Sequence, residues 1–158
     1  MYVGKCLQII IAIVCVFAAQ MSFAECSNDT LRIRHDRGTV KFSVELAQSP
    51  QEHAVGLMNR ESMPSGHGML FLYPTPRPVH FWMRNTFIPL DILFIDATGV
   101  ITKVHHNATP LDETPIPSDA MVQYVLEINA GLAKKYKISK GAQIQHPLIL
   151  TTPVWPCH

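Results

Sequence analysis

The stretch Phe81-Trp82-Met83-Arg84-Asn85-Thr86-Phe87-Ile88-Pro89-Leu90-Asp91-Ile92-Leu93-Phe94 sets Arg84, Asn85, Thr86 and Asp91 inside a run that otherwise reads as buried core. A polar group carried into a core must be satisfied by a partner or used. Whatever the chain folds into therefore has to provide either internal partners or a cavity at these positions. The surrounding sequence narrows the choice, because it is built from short apolar runs separated by turns.

Residues 39–46 alternate strictly, with Val40, Phe42, Val44 and Leu46 on one side, the pattern of a half-buried strand. Ser49-Pro50-Gln51-Glu52 then joins a capping box to a proline at the first helical position, so a short helix follows. Residues 60–67 read as a loop into an apolar strand at 69–73. Pro74, Pro76 and Pro78 are expected to break that strand, and extended structure resumes at 79–83. Residues 91–95 and 100–105 flank Asp96-Ala97-Thr98-Gly99 as a hairpin. Residues 107–120 read as one long irregular loop. A strand at 122–128, a short helix capped by Asn129 and running to about Tyr136, and a last strand at 143–150 complete the pattern. Six or seven short strands and two short helices predict a mostly β (α+β) domain, a small antiparallel barrel. Hairpin-length connections argue against a parallel βαβ sheet.

The ends of the chain predict its compartment. Lys5, an apolar run over residues 7–19 and the small residues Ser22 and Ala24 suit an export signal cleaved after Ala24. The run is shorter than the roughly 20 residues of a membrane-spanning helix, so no stable span is expected after cleavage, although a retained anchor is the alternative. Residues 25–158 are then one domain, periplasmic or secreted. Of four cysteines, Cys6 and Cys15 lie in the signal, which leaves Cys26 and Cys157 either as a disulfide or as two free thiols. Removing Lys5 leaves twelve Lys and Arg against twelve Asp and Glu, with no basic stripe, which argues against nucleic acid as a partner.

Period two puts Asp91 on the side of Leu93 and Ile95, and Glu127 on the side of Val125. Two carboxylates near strand ends, with Arg60, Trp82, Arg84, Asn85 and Thr86, suit a cleft for a small polar ligand or a protein partner. In the alternative, Arg60 or Arg84 forms a structural ion pair with Asp91 or Glu127. His53, Met58, Met63, His67, Met69, His80 and Met83 form a segment dense in soft ligands, which raises copper handling as a lesser reading. Their spacing matches no metal motif, and methionine also serves as core filler. No nucleophile elbow, phosphate loop or dinucleotide fingerprint is present, so no metal and no cofactor is expected. The leading expectation is a non-enzymatic binding module, with a small hydrolase using Asp91 and Glu127 as the alternative.

Gly56-Leu57-Met58-Asn59-Arg60, Gly68-Met69-Leu70-Phe71, the Phe81-to-Phe94 stretch and Leu126-Glu127-Ile128-Asn129-Ala130-Gly131 together resemble domain-of-unknown-function family 192 over roughly residues 31–147. The resemblance implies a single domain of unestablished activity. It points to Met58, Arg60, Gly68, Met69, Phe71, Trp82, Met83, Asn85, Thr86, Pro89, Leu90, Asp91, Glu127 and Gly131 without giving them roles.

Overall fold

The computed structural model describes residues 26–157; the expected export signal lies outside them. Nine strands and two helices follow in the order β1 (Thr30–His35), β2 (Gly38–Ala47), α1 (Pro50–Val55), β3 (His67–Arg77), β4 (His80–Phe81), β5 (Leu90–Ile95), β6 (Ile101–Ala108), β7 (Ile116–Pro117), β8 (Val122–Asn129), α2 (Leu132–Lys135) and β9 (Gln143–Gln145). Seven strands form one sheet in the order β6-β5-β8-β3-β2-β1-β9, and β4 pairs with β7 beside it. The sheet curls into a half-barrel whose edges touch at one corner. There, Ile101 N–H donates to Ala142 O at 2.9 Å and Ile144 N–H to Gly99 O at 2.8 Å.

The expected mostly β fold with two short helices is present, and its details differ where local context overrides local signals. All ladders are antiparallel except β2 with β3, which run parallel and are joined through α1, so one crossover unit sits in a sheet for which none was expected. β3 runs on through Pro74 and Pro76 to Arg77 because β2 ends opposite Phe71. Beyond that point one side of β3 has no neighbour to which an N–H must donate. The long loop contains β7, and β9 is only three residues long. Asn129 does not cap α2. It ends β8 and donates its side-chain amide to Met63 O at 2.8 Å, while Gly131, in the left-handed region at φ 81°, precedes the helix without a side-chain cap. The α1 capping box is formed as read, Ser49 Oγ accepting from Glu52 N–H and Glu52 accepting from Ser49 N–H.

Both faces of the central strands are buried. The concave face gathers Leu31, Phe42, Leu70, Leu93, Leu126 and Ile144 inside the half-barrel. The convex face gathers Leu57, Met69, Phe71, Ile92, Phe94 and Val125 beneath α1 and the β4–β7 pair. Every residue of β5 is buried, which is why its sequence is a continuous apolar run rather than an alternating one. Strands β3 and β8 approach closely at Gly68, where a Cβ would lie 2.5 Å from Glu127 O, so that position admits only glycine without displacing backbone. Among the described residues, no helix is long and apolar enough to cross a membrane. Cys26 and Cys157 are joined as a disulfide.

Candidate functional site

The register of β5 on β8 separates the two acids. Asp91 lies opposite Ile128 and Ile92 opposite Glu127, so the carboxylates leave the sheet on opposite faces. Asp91, fully buried, faces the concave side. Its Oδ2 accepts Ala133 N–H at 2.8 Å in the first turn of α2, and its Oδ1 accepts Asn107 N–H at 3.0 Å. The pairing of β5 with β6 slips by one residue between Leu90 and Ile92, and this bulge frees the Asn107 N–H that Asp91 takes. Asp91 thus supplies the cap that Gly131 cannot, and it fastens α2 to β6. Its nearest cation-forming neighbour is His106, Nδ1 at 3.9 Å.

Glu127 faces the convex side, flanked by Met69 and Ile92 on the neighbouring strands. Its side chain is 4% exposed and, among the described residues, no donor hydrogen-bonds to its carboxyl. With no hydrogen-bond partner supplied, burial pushes the Glu127 carboxyl up to about 8. It lines a small pocket of about 80 Å³ walled by His53, Leu57, Phe71, Tyr73, His80, Phe81, Trp82 and Thr86. Burial also pushes the Tyr73 hydroxyl up to about 12, against the lowering effect of Arg77 and with a further rise from Glu127.

The small pocket opens toward a groove of about 920 Å³, within the size range of ligand clefts, which shares His53, Met58, Tyr73, His80 and Trp82 with it and adds Gln48, Arg77, Arg84 and Asn85. One wall is α1. The other is the end of β3 and the segment after it, stiffened by Pro74 and Pro78. The walls are tied together by Asn59 N–H donating to Asn85 O at 2.8 Å, with Asn59 and Asn85 both in the left-handed region at φ 61° and 52°. Arg84 lies over the Trp82 ring at 5.7 Å and Arg77 over Tyr73 at 6.0 Å. Among the described residues, neither guanidinium has a carboxylate within 4 Å.

Five of the seven expected ligand-binding residues therefore gather at one place. Trp82, Arg84 and Asn85 line the groove, and Thr86 and Glu127 line its inner pocket. Arg60 does not join them. It forms a two-pronged pair with Glu45 on the surface, and that hydrogen bonding holds the Glu45 carboxyl below the usual range. Nor does Asp91. The arginine pairing foreseen for Asp91 or Glu127 is absent from both. Of the soft ligands, His53, Met58 and His80 reach the groove, whereas Met63, Met69 and Met83 are buried in the convex core and His67 is exposed. Tyr73 and Arg77 went unread as site residues. The signal was the polar–aromatic spacing of the proline segment, obscured by its reading as a mere strand break.

The Glu127 carboxyl makes a signed prediction. Its folded-state value of about 8 lies above the ordinary 4.5, so the stability it contributes is fully present below pH 4.5 and is lost as pH rises through 8. Denaturant midpoints measured at pH 5, 6.5 and 8 are expected to fall with pH, and to fall less in Glu127→Gln. Parallel profiles for the two proteins would mean that the carboxyl is not buried as described.

A curled β half-barrel with a cleft on its convex face and an unpartnered acid at the floor of that cleft defines the class. The chain belongs to the DUF192 family, described as "Uncharacterized ACR", whose model matches residues 32–146. Two solved structures are similar to it. One, from Sinorhizobium meliloti 1021, is described as a candidate transcription regulator and shares 42% identity at a TM-score of 0.72, over 76% of this chain and 94% of that one. The other, a protein of unknown function from Novosphingobium aromaticivorans DSM 12444, shares 40% identity at a TM-score of 0.71, over 73% and 82%. No curated protein matches the chain.

Proposed function

We propose that the protein is an exported, non-enzymatic module that holds a small polar ligand in the groove between α1 and the end of β3 with the segment that follows it. The observation that carries this reading is Glu127. A carboxyl that is buried, unpartnered and open to a pocket costs stability, and such groups are kept where a ligand completes them. Arg77 and Arg84 over aromatic rings give the outer groove charged and flat surfaces suited to orienting a polar molecule. The segment 1–24 and the Cys26–Cys157 bridge support export to an oxidising compartment, periplasmic or outside the cell. The regulator description of the Sinorhizobium protein finds no support in this chain's charge balance, since nucleic-acid binding calls for a basic surface.

Native mass spectrometry of the protein purified under gentle conditions is expected to reveal a co-purifying small molecule. Arg84→Ala and Trp82→Ala, both at exposed positions, are expected to bind it at least tenfold more weakly with unchanged melting temperatures, on the magnitude of a lost charged or stacking contact. Binding that is unaffected by both variants would remove the groove from consideration.

One observation favours a second reading. A carboxyl raised to about 8 within a solvent-reaching pocket suits a general acid, so a small hydrolase is the runner-up. It would rely on Glu127 with His53 or His80, because Asp91 faces away.

A further inference from the structure

Of the polar groups that line the inner pocket, Thr86 and Glu127 bring acceptor oxygens, beside the O–H of Tyr73 and the ring N–H groups of His80 and Trp82. Thr86 Oγ donates its hydrogen to Arg84 O at 3.2 Å, which leaves lone pairs on the hydroxyl. His53 Nε2 lies 3.0 Å from Ala47 O, and since a carbonyl only accepts, the ring carries a hydrogen on Nε2. Glu127 contributes two oxygens with no donor upon them. Around these acceptors stand Phe71, Tyr73, Phe81 and Trp82, with Phe71 and Phe81 set edge to face at 5.0 Å. A volume of about 80 Å³ has room for a few waters or one compact headgroup.

Acceptor oxygens, aromatic faces and one buried carboxyl suit a ligand group with several N–H donors and a positive charge. We propose that the inner pocket is a primary-ammonium site, in which the ligand's amine sits against Glu127 and its other end bears a carboxylate or phosphate held by Arg77 and Arg84. This deepens the ligand-binding reading and rests on it. The acidic end follows from the entrance: no acidic residue lines the outer groove, and a plain cation would meet only the two guanidinium groups there. The ligand class is a small zwitterion, either free or as a lipid headgroup.

Seating an ammonium beside Glu127 favours its ionised form, so binding is coupled to loss of the carboxyl proton. The other titratable or charged groups facing this pocket are His53 from α1, Tyr73 and Arg77 from β3 and His80 from β4. Tyr73 is raised far out of the neutral range, and the histidines are controlled for by keeping them in every variant.

Phosphoethanolamine serves as the probe, with methylammonium and inorganic phosphate as its separate halves. Calorimetry at pH 6.5 in buffers of different ionisation heats is expected to show one-to-one binding of phosphoethanolamine with release of about one proton, and affinity about tenfold higher at pH 7.5. Glu127→Gln is expected to abolish the proton release. In the unaltered protein, phosphocholine, which lacks N–H donors, is expected to bind at least tenfold more weakly, a comparison that stands even if the variant fails to fold. Arg84→Ala is expected to weaken phosphoethanolamine and leave methylammonium unchanged. Phosphatidylethanolamine vesicles bound more tightly than the soluble headgroup would assign the amine to a lipid; the reverse would assign it to a free molecule, and either supports the site. Equal binding of phosphocholine, or binding without proton release, overturns the inference. So does failure of every amine probe. If a neutral molecule co-purifies in the groove, the inference falls while the binding module stands; if nothing binds the groove at all, both fall.

Discussion

Replacing Asp91 by asparagine is expected to destabilise the fold by about 3 kcal/mol while leaving ligand binding in the convex groove intact. Both carboxylate oxygens accept main-chain N–H groups, from Asn107 and Ala133, and hydrogen bonds to a charged acceptor contribute roughly 1.5–3 kcal/mol each. Asparagine can satisfy only one of the two. Its amide nitrogen would then confront the other N–H, donor against donor, in a fully buried site. The carboxylate also has a second task at the start of α2, where Gly131 brings no side chain of its own. Urea denaturation at pH 7 measures the loss. A cost below about 1 kcal/mol, within the range of a single neutral hydrogen bond, would mean that α2 does not depend on this carboxylate. Loss of groove binding in a variant that stays folded would mean that the two faces of the sheet are coupled.

Removing the Cys26–Cys157 bridge is expected to have a larger effect. The two residues are 131 apart in sequence, and closing a loop of that length restricts the unfolded chain by up to about 5 kcal/mol on the entropic account. The bridge also keeps the two ends in register. Gln145 donates its side-chain amide to Pro156 O at 2.8 Å, Arg34 stacks on Trp155 at 4.6 Å, and His146 bonds to Asn28 O at 3.0 Å. A Cys26→Ser, Cys157→Ser double variant should therefore unfold at much lower denaturant, and the single-chain protein should behave likewise in strong reductant. Denaturation curves that coincide with and without reductant would show that the tail contacts alone hold the ends.

Legibility in the sequence followed the range of the interactions. The α1 capping box, the turn at Gly99 and the inward set Val40, Phe42, Val44 and Leu46 depend on neighbours a few residues away, and each was readable. The parallel pairing of β2 with β3 and the passage of β3 through Pro74 and Pro76 depend on which strand lies alongside, information that no local window holds. The same division runs through the site. Alternation correctly assigned Asp91 and Glu127 to the sides of Leu93 and Val125, but a common cleft required those sides to be one face. Only the register that pairs Ile92 with Glu127 reveals that they are two. Arg60 was misjudged because its partner, Glu45, is brought beside it by the crossover and not by spacing. Of the polar residues embedded in the apolar run, Arg84, Asn85 and Thr86 all line the convex cleft or its inner pocket.

The covalent link between the ends of the described domain has a mechanical meaning. A pull applied through residue 26 and residue 157 passes directly from one to the other across the sulfur–sulfur bond, so the strands between them carry no tension. In the oxidised protein such a load is borne by the disulfide and leaves the sheet untouched. In the reduced protein the same load acts on β1 and β9, which are neighbours at the edge of the sheet and are held by only three register pairs, and would peel that edge first.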